Sequence, residues 1–224
     1  MRISRSSRRR TLAFQVRDGV ATVYLPPRIS DEQARQIVEG KRDWLRQHVE
    51  AQRTQQALYS ALRPGGEVPF LGEVLPLRLQ PGLQVPTRTG PVLALPPEDW
   101  LGHLEWWTRQ AVQGHYQHRV EHFAGQLGVD AKVRRVLVSS TRSRWGSCAA
   151  SGDIRLHWLL SRAPLPVLDY VALHEAAHLR EMNHSRRYWA NVAQVMPDFE
   201  LHRAWMREHG QALMHSAQPL APAD

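Results

Sequence analysis

The sequence predicts an α+β protein: a helical core with a small sheet in the second half, and a β-rich region with one helix before it. Three observations carry this. The alternating runs TLAFQV and ATVYLP meet at Asp18-Gly19, a dipeptide that favours a two-residue hairpin turn. From Arg63 to Pro97 the chain is dense in Pro and Gly and holds only strand-length apolar pieces. Beyond Pro97, apolar residues recur at helical spacing over long stretches. The expected division is 1–97 for the β-rich region, 98–215 for the core and 216–224 for a flexible tail.

Taken in order, Ser30-Asp31-Glu32-Gln33 reads as a capping box, opening a helix from Asp31 to Arg53. VPFLGEVLPLRL and PVLALP form a small β unit or cover a sheet edge. A long helix from Glu98 to Leu127 places Trp106, Trp107, Val112, Tyr116, Val120 and Phe123 near one face. VRRVLVSS and DIRLHWLL read as two strands flanking the loop TRSRWGSCAASG. Pro166 suits the first residue of a helix running through VLDYVALHEAAHL. Ser185 and Asp198 are N-cap residues for two more helices. Trp106, Trp107, Trp189 and Trp205 are read as core.

Charge and composition narrow the setting. Net charge is +8, almost all from arginine, because Lys41 and Lys132 are the only lysines. That balance suits polyanionic partners, and it equally suits a solvated basic surface. The single cysteine, Cys148, excludes an internal disulfide and fits a reducing compartment. No apolar run approaches the roughly 18 residues that a membrane span needs. The basic start MRISRSSRRR admits a transit peptide, but the expected location is cytoplasmic, with no membrane partner.

The chemistry is concentrated in HEAAHLREMNH, His174 to His184. Histidines four apart on a helix share a face, so His174 and His178 can reach one ion. Glu175, between them, turns toward the open side, where it can take a proton from water. A shuffled chain of this composition would hold an HExxH about 0.03 times. His184 completes the spacing HExxHxxxxxH of the metzincin proteases, with Glu181 where those have a glycine. On a continuous helix, residue 184 would point about 100° away and about 9 Å beyond His178. The chain must therefore turn, and Asn183 is expected to do so as a left-handed C-cap.

Other readings stand beside this one. Glu181 serves in an outer position or faces solvent, and Glu200 is a rival ligand. His118 and His122, also four apart, lack a following glutamate and read as a solvated face. Arg142 and Arg144 could bind an anionic substrate group. Against that, the loop is a tight turn with Trp145 packed on the metal helix and Cys148 buried. An edge strand, VRRVLVSS or DIRLHWLL, could pair with extended substrate. Tyr188, His157 and Arg142 are candidates for an electrophilic partner.

HEAAHLREMNHSRRYW, with RWGSC, IRLHWLL and PVLDYV, resembles the YgjP-like metallopeptidase-domain family, which is zincin-like. RRRTLAFQVRDGVATVYLPPRIS and FLGEVLPLRL extend the resemblance over nearly the whole chain. It implies His174, His178 and His184 as zinc ligands, Glu175 as catalytic base and a catalytic α+β core. The activity label rests largely on the same HExxH, so it brings no independent substrate.

The reading is thus a cytoplasmic hydrolase with one Zn2+ per chain, a metallopeptidase with Glu175 as general base. A first alternative keeps the metal and changes the substrate to a nucleotide phosphoanhydride, with arginines neutralising phosphates. That alternative requires basic side chains around the metal mouth. A second is a non-catalytic, zinc-stabilised module that binds nucleic acid. Expected partners are a peptide, a protein or an anionic small molecule, with nucleic acid admissible but not required.

Overall fold

The computed structural model describes residues 2–5, 12–17, 20–46, 62–141 and 143–217. The fold is mixed α/β, with several small sheets and a set of helices. By internal contacts it divides into two compact units, Met1–Ser60 and Ala61–Asp224.

In the first unit, β2 (Ala13–Arg17) and β3 (Val20–Leu25) pair antiparallel, with Arg17 opposite Val20. That register is the two-residue hairpin read from the sequence; Asp18 and Gly19 lie outside the described residues. β1 (Arg2–Arg5), which sequence reading took for a basic terminus, pairs parallel to β3 on its other side. Helix α1 (Asp31–Glu39) starts at the expected capping box: Gln33 N–H donates to Ser30 Oγ, and Ser30 N–H to Gln33 Oε1. It stops at Gly40 rather than running on, and a new helical turn begins at residue 42. Residues 47–53, the rest of the expected helix, lie outside the described residues. Val23 and Leu25, alternate residues of β3, meet Ala34 of α1 in a small core.

In the second unit, β4 (Glu67–Phe70), β5 (Glu73–Leu79), β6 (Thr87–Thr89) and β7 (Val92–Leu95) form a sheet in the order β4-β5-β7-β6. The β4–β5 hairpin turns on Leu71 and Gly72, both at positive φ, the mirror-image turn that matches strand twist. Val68, Phe70, Leu75, Leu77, Leu93 and Leu95 share one core with the later helices. These strands therefore pack with the C-terminal part of the chain, although the sequence reading set its boundary after them.

Helix α2 (Trp100–Gln126) buries Leu104, Thr108, Val112, Tyr116, Val120 and Phe123, one stripe at steps of three and four. Trp106 falls off that stripe and is exposed, whereas Trp107 packs on Phe70 at 5.0 Å between ring centroids. His118 and His122 are exposed on the opposite face, as expected. Three strands, β8 (Arg135–Ser139), β9 (Gly146–Cys148) and β10 (Asp153–His157), form a second sheet in the order β8-β10-β9. DIRLH is therefore the central strand, whereas the WLL expected to continue it lies in a 3-10 helix (Trp158–Arg162), and the loop between the expected strands supplies an edge of its own.

Helix α3 (Leu165–His178) is apolar nearly all round, with Leu168, Ala172, Leu173, Ala176 and Ala177 at 0% exposure. Such a helix belongs at the centre of a core. α2 and β9 both pack against it, and Arg119 ties α2 to it through Asp169. Helices α4 (Arg186–Val195) and α5 (Phe199–His215) complete the unit. Ser216, assigned to the tail by sequence, is buried and accepts from Arg162 Nη1, while residues 218–224 lie outside the described residues. Among the described residues no helix is long and apolar enough to cross a membrane.

Candidate metal centre

Helix α3 sets His174 and His178 one turn apart, with ring centroids at 5.1 Å. The helix ends at His178, and the chain turns back through residues 179–185. Asn183 does not make this turn in the expected way. Among the described residues only Leu71 and Asp99 have positive φ without being glycine. Its side chain acts instead: Asn183 Oδ1 accepts from Ser185 N–H at 3.1 Å, the local bond that turns chains at Asx residues. Ser185 then caps α4, its Oγ accepting from Tyr188 N–H at 3.2 Å. His184 is fixed between these two bonds.

The outcome is convergence. His174, His178 and His184 offer ligand atoms within 4.8 Å of one another. The Nε2 atoms of His174 and His184 are 3.2 Å apart. Two nitrogens bound to one tetrahedral ion at about 2.0–2.1 Å lie about 3.3 Å apart, so the donor set fits a zinc-like ion. His178 Nδ1 meets the backbone carbonyl of Glu181 at 3.3 Å, which leaves Nε2 as its free donor. Glu181 thus contributes through its backbone. Neither its carboxylate nor that of Glu200 joins the cluster, and Glu200 pairs with Arg203 instead.

Electrostatics suit ligation. Burial, with His178, His184 and Arg203 adding to it, pushes His174 down to about 3. Burial also lowers His178, opposed by its bond to Glu181. Neutral imidazoles keep the lone pairs that a metal needs. Trp189 stacks on His184 at 5.6 Å between centroids and on Phe199 at 5.4 Å, so it braces a ligand as well as filling the core.

Glu175 is 5% exposed, and its side chain reaches Gly146 of β9. Its carboxylate covers the α-carbon of Gly146. A Cβ there would lie 2.7 Å from Glu175 Cγ and 2.8 Å from Cδ. Burial pushes Glu175 up to about 8, with Arg144 pulling the other way. A carboxyl poised near neutral pH suits proton transfer.

Tyr188 and His157, expected as electrophilic partners, are both committed elsewhere. Tyr188, at 0% exposure, donates its hydroxyl to the His174 carbonyl at 2.9 Å. His157, at 2%, accepts from Leu159 N–H at 3.2 Å and packs against Trp145. Trp145 in turn lies beside Gly210 of α5, where a Cβ would approach its Nε1 to 3.0 Å. Cys148 is outside the metal cluster, and burial, with Glu175 nearby, pushes its thiol up to about 11. Arg144 is exposed and acts on Glu175; Arg142 lies outside the described residues.

Three participants escaped sequence reading. Gly146 lay inside the quoted RWGSC, but nothing local signals its distant contact. Arg203 and Arg207 stand four apart on α5, a spacing that many solvated faces share. Arg203 lies 4.3 Å over the Trp189 ring and acts on His174, and both arginines act on Tyr170.

Over 84 residues, 38% of its length, the chain is 26% identical to the UTP pyrophosphatase of Escherichia coli (strain K12). The matched stretch spans 46% of that protein, about half its length. No solved structure matches the chain. With the histidine cluster, these likenesses support a hydrolase that works at a metal. The family model described as YgjP-like, metallopeptidase domain matches residues 10–209, and the chain belongs to that family.

Proposed function

We propose that this protein hydrolyses a phosphoanhydride bond of a nucleoside triphosphate, using a zinc-like ion on a zincin-like core. The observation that carries the reading is the placement of arginine. Arg144 acts on Glu175, Arg203 on His174, and Arg203 with Arg207 on Tyr170. One guanidinium beside Glu175 and two more on α5, toward His174 and Tyr170, match the charge of a polyphosphate far better than a neutral peptide bond. The sequence alone favoured the peptide, because it could not say where the arginines lie. The likeness to a UTP pyrophosphatase points the same way.

His174, His178 and His184 would hold the ion. When bound, it supplies acidification of water and neutralisation of developing charge. Glu175 takes the proton of the attacking water. Arg144, beside it, meets the phosphoryl oxygens, and Arg203, held by Trp189 and Glu200, offsets the charge of the phosphate chain. Water adds to the α-phosphorus, the P–O bond between the α-phosphorus and the bridging oxygen to the β-phosphate breaks, and Glu175 returns its proton to the departing pyrophosphate. The products are a nucleoside monophosphate and pyrophosphate.

A peptidase is the second reading, favoured by one feature. Among the described residues β9 pairs only with β10, so beside Glu175 there is a strand edge on which an extended peptide could lie.

The test compares wild type, Glu175→Gln and His184→Ala for metal content, pyrophosphate release from nucleoside triphosphates, and casein cleavage. Pyrophosphate release that Glu175→Gln lowers about 10³-fold, with metal retained, supports the proposal. Casein cleavage without triphosphate hydrolysis moves the site to the second reading. Unchanged activity in Glu175→Gln overturns the mechanism.

A further inference from the structure

We infer that the groove along the β9–β10 turn, walled on one side by the segment that joins His178 to His184, holds the nucleoside part of the substrate. This deepens the nucleotide reading and rests on it. The groove encloses about 740 Å³, within the range of small-molecule sites. One wall is Lys132 and Arg134, ahead of β8. A second is Ala150 and Ser151 in the turn, and the third is Leu179 and Met182.

Two of these walls continue the elements that build the active site. Leu179 directly follows the ligand His178, and Met182 stands two residues before His184. The turn begins at Ala149, immediately after β9, whose first residue, Gly146, receives Glu175. At about 3.3 Å per residue, a strand passes from Gly146 into the groove within roughly 10 Å. That is the scale of a nucleoside extending from its 5′-phosphate.

The groove's chemistry suits a base. Met182, 53% exposed, and Leu179 offer apolar surface for a ring face. Arg134 and Ser151 supply a planar cation and a hydroxyl at the rim, which can stack on a base or bond its edge. Lys132 donates its Nζ to the Leu179 carbonyl at 3.0 Å and so fixes one wall against another.

The experiment fills the groove from opposite sides with Ala150→Trp and Ala131→Trp, both at exposed positions away from the ligands. Each variant and wild type, with metal bound, receives a nucleoside triphosphate and inorganic tripolyphosphate, which has the same anhydride but no nucleoside. Calorimetry with a nucleoside 5′-monophosphate gives an independent readout. The expected result is a KM for the triphosphate raised roughly tenfold or more, weaker monophosphate binding, and unchanged tripolyphosphate hydrolysis. Wild-type KM in both filled variants overturns the inference alone, as does an equal loss on both substrates. A wild type that cleaves neither polyphosphate overturns this inference together with the nucleotide reading.

Discussion

The side chain of Glu175 rests on the bare α-carbon of Gly146, across 29 residues of sequence and between a helix and a strand edge. A methyl group at residue 146 would overlap the carboxylate, so the glycine sets where the proposed general base stands. Gly146→Ala should lower kcat roughly 10²-fold, the effect of displacing a reacting group by about 1 Å. Metal content should not change. The check is kcat beside elemental analysis, with Ser147→Ala as the neighbouring control; undiminished kcat removes the assigned role.

His184 is the proposed ligand that depends on the turn. In His184→Ala, metal affinity should fall by more than the roughly 10–100-fold that loss of an outer partner costs. A competition titration with a coloured chelator measures this. Retention at wild-type affinity places the third ligand elsewhere.

Tyr188 tests structure against chemistry. Its hydroxyl donates to the His174 carbonyl, so Tyr188→Phe should cost about 1 kcal/mol of stability and leave kcat within a few-fold. A fall in kcat by two or more orders of magnitude, at unchanged stability, would make the phenol a participant in the reaction.

His157 gives the fold a dependence on acid. Burial lowers it from 6.5 to about 4, opposed by a backbone hydrogen bond at Thr141. As pH falls, the unfolded chain takes this proton first. The contribution is therefore complete above pH 6.5 and is lost progressively between 6.5 and 4, worth roughly 3 kcal/mol at most. His157→Asn keeps a cap for Leu159 and removes the titration, so urea melts should show a flatter slope across that window. An unchanged slope assigns the acid sensitivity to other groups.

What could be read from the sequence follows from how local each cause is. A helix places residues four apart on one face wherever it forms, so His174 and His178 declared themselves. The Asp18-Gly19 hairpin and the Ser30 capping box are equally local. The pairing of β1 with β3 is not, because parallel neighbours carry no turn signal and Arg2–Arg5 has no strong alternation. For His184 the spacing was legible but the device was not: Asn183 turns the chain through its side chain rather than its backbone angle. Gly146 and the α5 arginines were invisible for a common reason, that only tertiary packing brings them to Glu175 and His174.

The ligands span only residues 174 to 184, with two of the three already fixed by one buried helix. An ion there clips a short loop to a core that stands without it, and closing so short a loop changes chain entropy little. Metal should therefore act on stability by mass action, adding about 1.4 kcal/mol for each tenfold rise in free ion above its dissociation constant. Exchange of the ion would need only the opening of residues 179–185, not unfolding of the domain. Occupancy of this site would then follow the surrounding metal supply on the timescale of a loop, and under the proposed function the activity would be a running record of free metal around it.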